Sequence, residues 1–288
     1  MTQAIPTQPD HVIPAVPTRR SRLDTTFASL REQQRTGLVA YVTAGDPDYA
    51  RSADVLRACD RGGADVLEVG VPFSEPLADG PVIQRASERA LASGMTLART
   101  LDLIDEVRPS LRAPIVLFTY ANPVFRFGFD RFFTRAAAAG VDGLLVLDLP
   151  IEEGGPLHAA ASAAGIDTIW LLSPTTTDAR IKRASELGRG FLYGISRLGV
   201  TGARTEVASG ARDLATRIRQ QTSLPIALGF GLSQPEHIRE VGQWADAAVV
   251  GSALVNVIAE HGQSPALAEK VEGYVRWLRG TGSGQGGQ

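Results

Sequence analysis

Short apolar runs rich in β-branched residues recur along the chain and alternate with segments that have helical hydrophobic spacing. The runs lie at residues 37–44, 65–70, 114–120, 141–148, 167–172, 190–195, 224–230 and 246–251. Near-continuous apolar strands are typical of parallel sheets that are covered on both faces. The segments with helical spacing include 49–61, 96–108, 129–139, 157–164 and 179–186. The pattern therefore predicts an α/β protein with parallel strands.

Eight strand–helix units in about 250 residues predict a single (β/α)8 TIM barrel. The alternative, an open doubly wound sheet, favours a G-x-G-x-x-G turn after its first strand, whereas residues 43–47 are Thr-Ala-Gly-Asp-Pro. An additional helix is predicted at 22–34, with Leu23, Phe27 and Leu30 on one face. We expect this helix to close the bottom of the barrel.

The two ends of the chain differ in composition from the middle. Residues 1–20 contain four prolines and no continuous apolar stretch, so they lack the hydrophobic segment of a signal peptide and are predicted to form a disordered arm. Residues 280–288 are rich in glycine, and we predict a flexible tail because little surface can be buried there. The barrel domain is therefore expected at 21–279.

The amino-acid composition indicates which classes of molecule the chain is expected to bind. The 288 residues include 29 Lys and Arg against 31 Asp and Glu, which argues against nucleic acid, because its binding needs clustered basic residues. A small-molecule substrate is expected instead. Cys59 is the single cysteine, which excludes an internal disulfide and a cysteine zinc site and is typical of a reducing cytoplasm. No apolar run reaches the ~18 residues of a membrane span, so we expect a cytoplasmic protein without a membrane partner.

The second predicted strand contains a carboxylate among apolar neighbours, Val66-Leu-Glu-Val-Gly70. Alternation places Glu68 on the same side as Val66 and Gly70. If that side is the barrel interior, burial raises the proton affinity of the carboxyl. The alternative is a glutamate paired with a basic residue of a helix, but lysine is scarce and no cation lies close in sequence. Glu68 is therefore a candidate catalytic residue.

The catalytic residues of a TIM barrel lie at the carboxyl ends of its strands and on the loops that follow. Two of these loops are long, at 72–81 and at 196–205, and long loops often bind substrates or form lids. The first contains Asp79 and Glu75, and two carboxyls in different surroundings can divide acid and base roles. Taken alone, Asp79-Gly-Pro is more typical of a turn.

Glycines at the ends of the last two predicted strands indicate a phosphate site. Gly229-Phe-Gly231 ends the seventh strand, and Gly251-Ser252 follows the eighth, with Ser252 expected at the N-cap of the next helix. Glycines let backbone N–H groups approach an anion, and barrels often bind phosphate between these two loops. The alternative is that both glycines only shape turns.

Residues 67–81, Leu-Glu-Val-Gly-Val-Pro-Phe-Ser-Glu-Pro-Leu-Ala-Asp-Gly-Pro, resemble the signature segment of the tryptophan synthase alpha chain family. Gly199-Val-Thr-Gly202, Gly229-Phe-Gly231 and Gly251-Ser252 match its later motifs in order, and the resemblance runs from about 21 to 277. It implies a lyase of tryptophan biosynthesis that cleaves indole-3-glycerol phosphate to indole and glyceraldehyde 3-phosphate by retro-aldol chemistry, without a metal or an organic cofactor.

The resemblance also implies roles for individual residues. Glu68 matches the general acid/base that protonates indole C3, and Asp79 matches the carboxylate that holds the indole N–H. The residues expected in or near the substrate pocket are Thr43, Tyr120, Leu145, Tyr193, Thr201 and Phe230, and those matching the phosphate site are Gly202, Gly231, Gly251 and Ser252. Thr201 matches the residue of the closing loop that contacts the loop of Asp79.

Three positions depart from the family pattern. Glu75 replaces an Asp used near the contact with the beta chain, Tyr41 stands where Phe is common, and Phe118 where Leu is common. The family implies an α2β2 tetramer in which indole passes to a beta chain, whereas some relatives release free indole alone, and the sequence leaves both open. A different phosphosugar barrel, such as an isomerase or epimerase, and a non-catalytic partner barrel are the remaining alternatives.

Overall fold

The computed structural model describes residues 20–195, 209–229 and 231–281. Most of the predicted arm and tail, residues 1–19 and 282–288, lie outside this part of the chain. Eight parallel strands form a closed barrel in sequence order, as predicted. They are β1 Gly37–Thr43, β2 Val66–Gly70, β3 Ile115–Thr119, β4 Gly143–Val146, β5 Asp167–Leu172, β6 Leu192–Ile195, β7 Ile226–Gly229 and β8 Ala247–Val250.

Helices follow the strands and cover the barrel. They are α1 Arg22–Glu32, α2 Tyr49–Gly62, α3 Pro81–Ala92, α4 Leu97–Val107, α5 Ala121–Phe127, α6 Phe129–Ala139, α7 Gly155–Ala163, α8 Asp178–Leu187, α9 Ser209–Gln221, α10 Pro235–Val241, α11 Ser252–His261 and α12 Leu267–Leu278. Within the described ranges, no helix is both long enough and apolar enough to span a membrane.

The helix α1 closes the end of the barrel where the strands begin, which confirms the prediction. It starts with a capping box in which Ser21 and Asp24 satisfy each other's backbone N–H groups. Leu23, Phe27 and Leu30 are buried in the interior cluster of the barrel. The Phe27 and Phe191 ring centroids are 5.4 Å apart. Because side chains fill this end in the described part of the chain, we expect a substrate to enter from the opposite end, where the strands terminate.

Strand register places Glu68 inside the barrel. In the parallel pairing, Tyr41 is opposite Glu68 and Glu68 is opposite Val116. Val66 and Val116 belong to the interior cluster, whereas Leu67 and Val69 belong to the layer between the strands and the helices. Since side chains alternate along a strand, Glu68 is directed inward among apolar groups, so the side that it shares with Val66 and Gly70 is the barrel interior, which the sequence had left open.

Candidate active site

The carboxyl of Glu68 is buried, and in the described part of the chain no hydrogen bond offsets the cost of removing it from water. The residue is only 1% exposed, and neither Oε1 nor Oε2 has a hydrogen-bond partner among the described residues. Burial, with a smaller contribution from the charge of Asp79, raises the pKa of Glu68 to about 8. The group is therefore protonated at neutral pH and can donate a proton to a bound molecule.

Asp79 lies in the loop between β2 and α3 and has a more polar environment. Its Oδ2 accepts a hydrogen bond of 3.0 Å from the Tyr120 hydroxyl, and its carbonyl oxygen accepts one of 2.8 Å from Gln84 Nε2. Burial raises the pKa of Asp79 to about 6, and the bond from Tyr120 opposes this rise. Asp79 is therefore mostly ionised at pH 7, whereas Glu68 is protonated. At this pH the site contains one carboxylate anion and one carboxylic acid, which can take different roles.

Tyr120 connects the end of β3 to the loop of Asp79. It occupies the N-cap of α5, and its hydroxyl accepts a hydrogen bond of 3.1 Å from Ala78 N while donating to Asp79. The Tyr120 and Phe73 ring centroids are 5.0 Å apart. One side chain thus holds the loop by two hydrogen bonds and a ring contact.

Tyr193 and Tyr41 complete the polar surroundings of the carboxyls. Burial raises the pKa of both hydroxyls well above the usual value, and the charges of Glu68 and Asp79 raise them further. Both tyrosines are therefore neutral. The Tyr41 hydroxyl lies 3.4 Å from Thr43 Oγ1 at the end of β1.

The structure brings together most of the predicted pocket residues that it describes. Glu68, Asp79, Tyr120 and Tyr193 interact electrostatically at the carboxyl ends of the strands, and Thr43 contacts Tyr41 there. Leu145 packs in the same interior cluster as Tyr193. The other predicted residues, Thr201, Gly202 and Phe230, and the loop at 196–205 lie outside the described residues.

Three of the four predicted phosphate residues, Gly231, Gly251 and Ser252, are described and lie just after β7 and β8. Gly231 has a φ of 69°, which glycine adopts without the steric cost that other residues meet. Gly251 is the N-cap of α11, and within the described ranges no side-chain hydrogen bond caps this helix start. Ser252 is the first helical residue and not the N-cap, so this detail of the prediction is wrong: the helix begins one residue earlier. The backbone N–H groups of the first turn remain available for an anion.

Three contacts of this region were not predicted from the sequence. Gln84 and Phe73 fix the loop of Asp79, and Asp148 Oδ1 accepts a hydrogen bond of 2.7 Å from Ala121 N at the start of α5. The position of Asp148 at the end of the fourth apolar run was the available signal, since carboxyl ends of barrel strands carry functional groups. In the described ranges, no group of three or more His, Cys, Asp or Glu is placed to hold a metal ion.

Comparison with known proteins assigns the barrel to a family. A family model described as tryptophan synthase alpha chain matches residues 27–277. The chain belongs to the tryptophan synthase alpha chain family. It is 45% identical over 259 residues to the alpha chain of Solibacter usitatus, covering 90% of this chain and 97% of the relative. It is 50% identical over 237 residues to that of Synechococcus elongatus, covering 82% and 89%.

Solved structures agree with this assignment. The barrel superposes on Mycobacterium tuberculosis tryptophan synthase with a TM-score of 0.85 at 35% identity, covering 91% of this chain and 98% of the other. For the alpha subunit from Legionella pneumophila the TM-score is 0.82 at 33% identity, covering 91% and 98%. This alpha chain is therefore a lyase of tryptophan biosynthesis, as the sequence predicted, and these relatives favour neither the isomerase nor the non-catalytic alternative.

Proposed function

We propose that this alpha chain cleaves indole-3-glycerol phosphate at the open end of the barrel, with Glu68 as general acid/base and Asp79 as the partner of the indole N–H. The observation that supports this assignment is the pair of buried carboxyls whose pKa values are raised to about 8 and about 6. Indole is a poor leaving group until C3 is protonated, so the reaction needs both an acid and a stabilising anion.

In the proposed reaction Glu68 donates one proton and regains one, so it ends in its starting state. The Asp79 carboxylate accepts a hydrogen bond from the indole N–H, which keeps its proton, and stabilises the positive charge that the ring gains as the Glu68 carboxyl transfers its proton to C3. The Glu68 carboxylate then takes the proton of the hydroxyl on the carbon attached to C3. As that carbon becomes an aldehyde, the C–C bond breaks and its electron pair returns to the indole ring. Glu68 ends protonated and ready for another turnover.

We propose that backbone donors around Gly231, Gly251 and Ser252 hold the substrate phosphate. Replacing Gly231 by Val places a branched side chain at a φ of 69° beside the anion. We expect glycerol phosphate to bind about tenfold more weakly or worse, which corresponds to a loss of about 1.4 kcal/mol. Isothermal titration calorimetry of the purified chain with glycerol phosphate measures this change.

Gly165→Val is the matched control for backbone strain. Gly165 has a φ of 73°, its added Cβ would meet nothing within 4 Å, and it lies between α7 and β5 at the opposite end of the barrel. Both variants carry the strain of a branched residue at positive φ, but only Gly231→Val changes the phosphate site. Equal affinities of the two variants for glycerol phosphate would contradict the assignment.

We propose that a beta chain docks on the open end of the barrel, in an α2β2 assembly. Leu77 and Phe125 are the exposed large apolar side chains of the described residues, at 91% and 59% exposure. Leu77 belongs to the loop of Asp79, and Phe125 to α5, so both lie at the end that carries the carboxyls. Both side chains are available for contact with a partner at this end, and aromatic residues such as Phe125 are enriched in protein interfaces.

Turnover of the isolated chain, followed by titration with its beta chain, tests both the reaction and the partnership. We expect slow indole release that rises on titration, because docking favours the closed state of the loops. Phe125→Ala is expected to raise the half-saturating beta-chain concentration about tenfold. Glu75→Asp is expected to change the same concentration, since the side chain is shortened by one methylene. Fast release with no response to the beta chain would instead support a lyase that acts alone.

A further inference from the structure

A carboxylate at the end of the neighbouring strand fixes the start of α5. Asp148 follows β4, and its Oδ1 accepts a hydrogen bond of 2.7 Å from Ala121 N. Ala121 is the first residue of α5, and its neighbour Tyr120 is the N-cap, whose side chain makes no capping bond. Asp148 therefore supplies from another loop an acceptor that an N-cap side chain supplies elsewhere.

We propose that Asp148 is a positioning residue for the lyase reaction, which fixes the backbone of Tyr120 and thereby keeps the Tyr120 hydroxyl on Asp79. This inference rests on the role proposed above for Asp79. Asp148 itself is exposed and touches neither carboxyl of the site. Asp148 acts on Asp79 through the backbone N–H of Ala121 and the side chain of Tyr120.

The contacts form a continuous path from the fourth strand to the second loop. Ala121 N donates to Asp148, the adjacent Tyr120 donates to Asp79 Oδ2 at 3.0 Å, and Ala78 N donates to the Tyr120 hydroxyl at 3.1 Å. The geometry of a charge-assisted hydrogen bond depends on sub-ångström placement of the donor. A shift of the α5 start is therefore expected to weaken the bond to Asp79.

Tyr120 is the donor that acts on the pKa of Asp79. Among the described residues, the titratable groups that interact with Asp79 are Glu68 on β2, Tyr41 on β1, Tyr193 on β6 and Tyr120. In the described part of the chain, only Tyr120 donates a side-chain hydrogen bond to this carboxylate. Burial and the charges of Asp79 and Asp148 raise the Tyr120 pKa far above neutral pH, so the hydroxyl keeps its proton.

The first test is the pH dependence of kcat for indole release by the isolated full chain. Asp79 must be ionised, so activity is lost as the pH falls through its pKa. A weaker bond from Tyr120 raises this pKa. We expect Asp148→Ala to raise the midpoint of the acidic limb by about half a pH unit, and Tyr120→Phe to raise it by about one. Asp148→Asn keeps an oxygen acceptor and is expected to leave the midpoint within about 0.2 unit of the wild type.

A second variant breaks the same bond from the donor side. Ala121→Pro removes the N–H but leaves the charge of Asp148 in place, and proline is well tolerated at the first position of a helix. Tyr120 has φ and ψ of −97° and 160°, which suits a residue before proline. We expect Ala121→Pro to raise the acidic midpoint as much as Asp148→Ala does. No shift in this variant would overturn the proposal.

A double-mutant cycle distinguishes an effect that passes through Tyr120 from a direct effect of the Asp148 charge on Asp79. In the Tyr120→Phe background, Asp148→Ala is expected to add no further shift, because the path to Asp79 is already broken. A shift that persists in this background would mean that Asp148 acts elsewhere and would overturn the proposal. Should Asp79→Asn keep its acidic limb, the role of Asp79 itself would be wrong, and this outcome is separate from a failure of Asp148 alone.

Discussion

Glu68→Gln is expected to abolish indole release while glycerol phosphate still binds. The amide keeps the shape of the side chain but cannot donate and retrieve a proton. General acid/base catalysis is typically worth about 10²–10⁴-fold, and the loss should appear in kcat. Steady-state kinetics with indole-3-glycerol phosphate, together with calorimetry of glycerol phosphate binding, separate the chemical step from binding.

Thermal unfolding tests whether the Glu68→Gln variant keeps its fold. In the described part of the chain the carboxyl of Glu68 has no hydrogen-bond partner, so replacing it breaks no bond and the midpoint of unfolding is expected to stay close to that of the wild type. Retention of more than about a tenth of the wild-type kcat would contradict a role in acid/base catalysis.

Asp79→Asn is expected to lower kcat by about 10²-fold or more and to remove the acidic limb of the pH profile. Asparagine can still accept the hydrogen bond from Tyr120, but it has no charge to stabilise the indole N–H as C3 is protonated. Burial raises the pKa of Asp79 in the free chain to about 6, and we expect the wild type to lose activity as the pH falls through the pKa of this group in the substrate complex. The measurement is kcat between pH 5 and 8 for both proteins.

Glu75→Gln is the control for this prediction, because it removes a carboxylate from the same loop. It is expected to keep the acidic limb and most of the activity of the isolated chain. An unchanged rate in Asp79→Asn would mean that Asp79 only shapes the turn, as the Asp-Gly-Pro sequence taken alone predicts.

The barrel was predictable because its determinants are local. The apolar runs that predict strands at 65–70 and 246–251 contain β2 and β8 within one residue of the observed ends, and the period of two placed Glu68 on the same side as Val66 and Gly70. The face of α1 was equally clear from the spacing of Leu23, Phe27 and Leu30. In each case the side chain's environment follows from its own neighbours in the chain.

The chemistry of Asp79 needed the tertiary structure. Its hydrogen-bond partner Tyr120 is 41 residues away, and a turn sequence alone does not show whether its carboxylate is buried or which donor reaches it. The same holds for Asp148, which reaches Ala121 across 27 residues. The sequence by itself determined the strands, which residues of β2 share a side, and the family motifs, because these depend on local periodicity and residue identity. Only the closed barrel decided the pKa difference between two carboxyls and the path that holds one of them, because burial and hydrogen-bond geometry arise when distant loops meet.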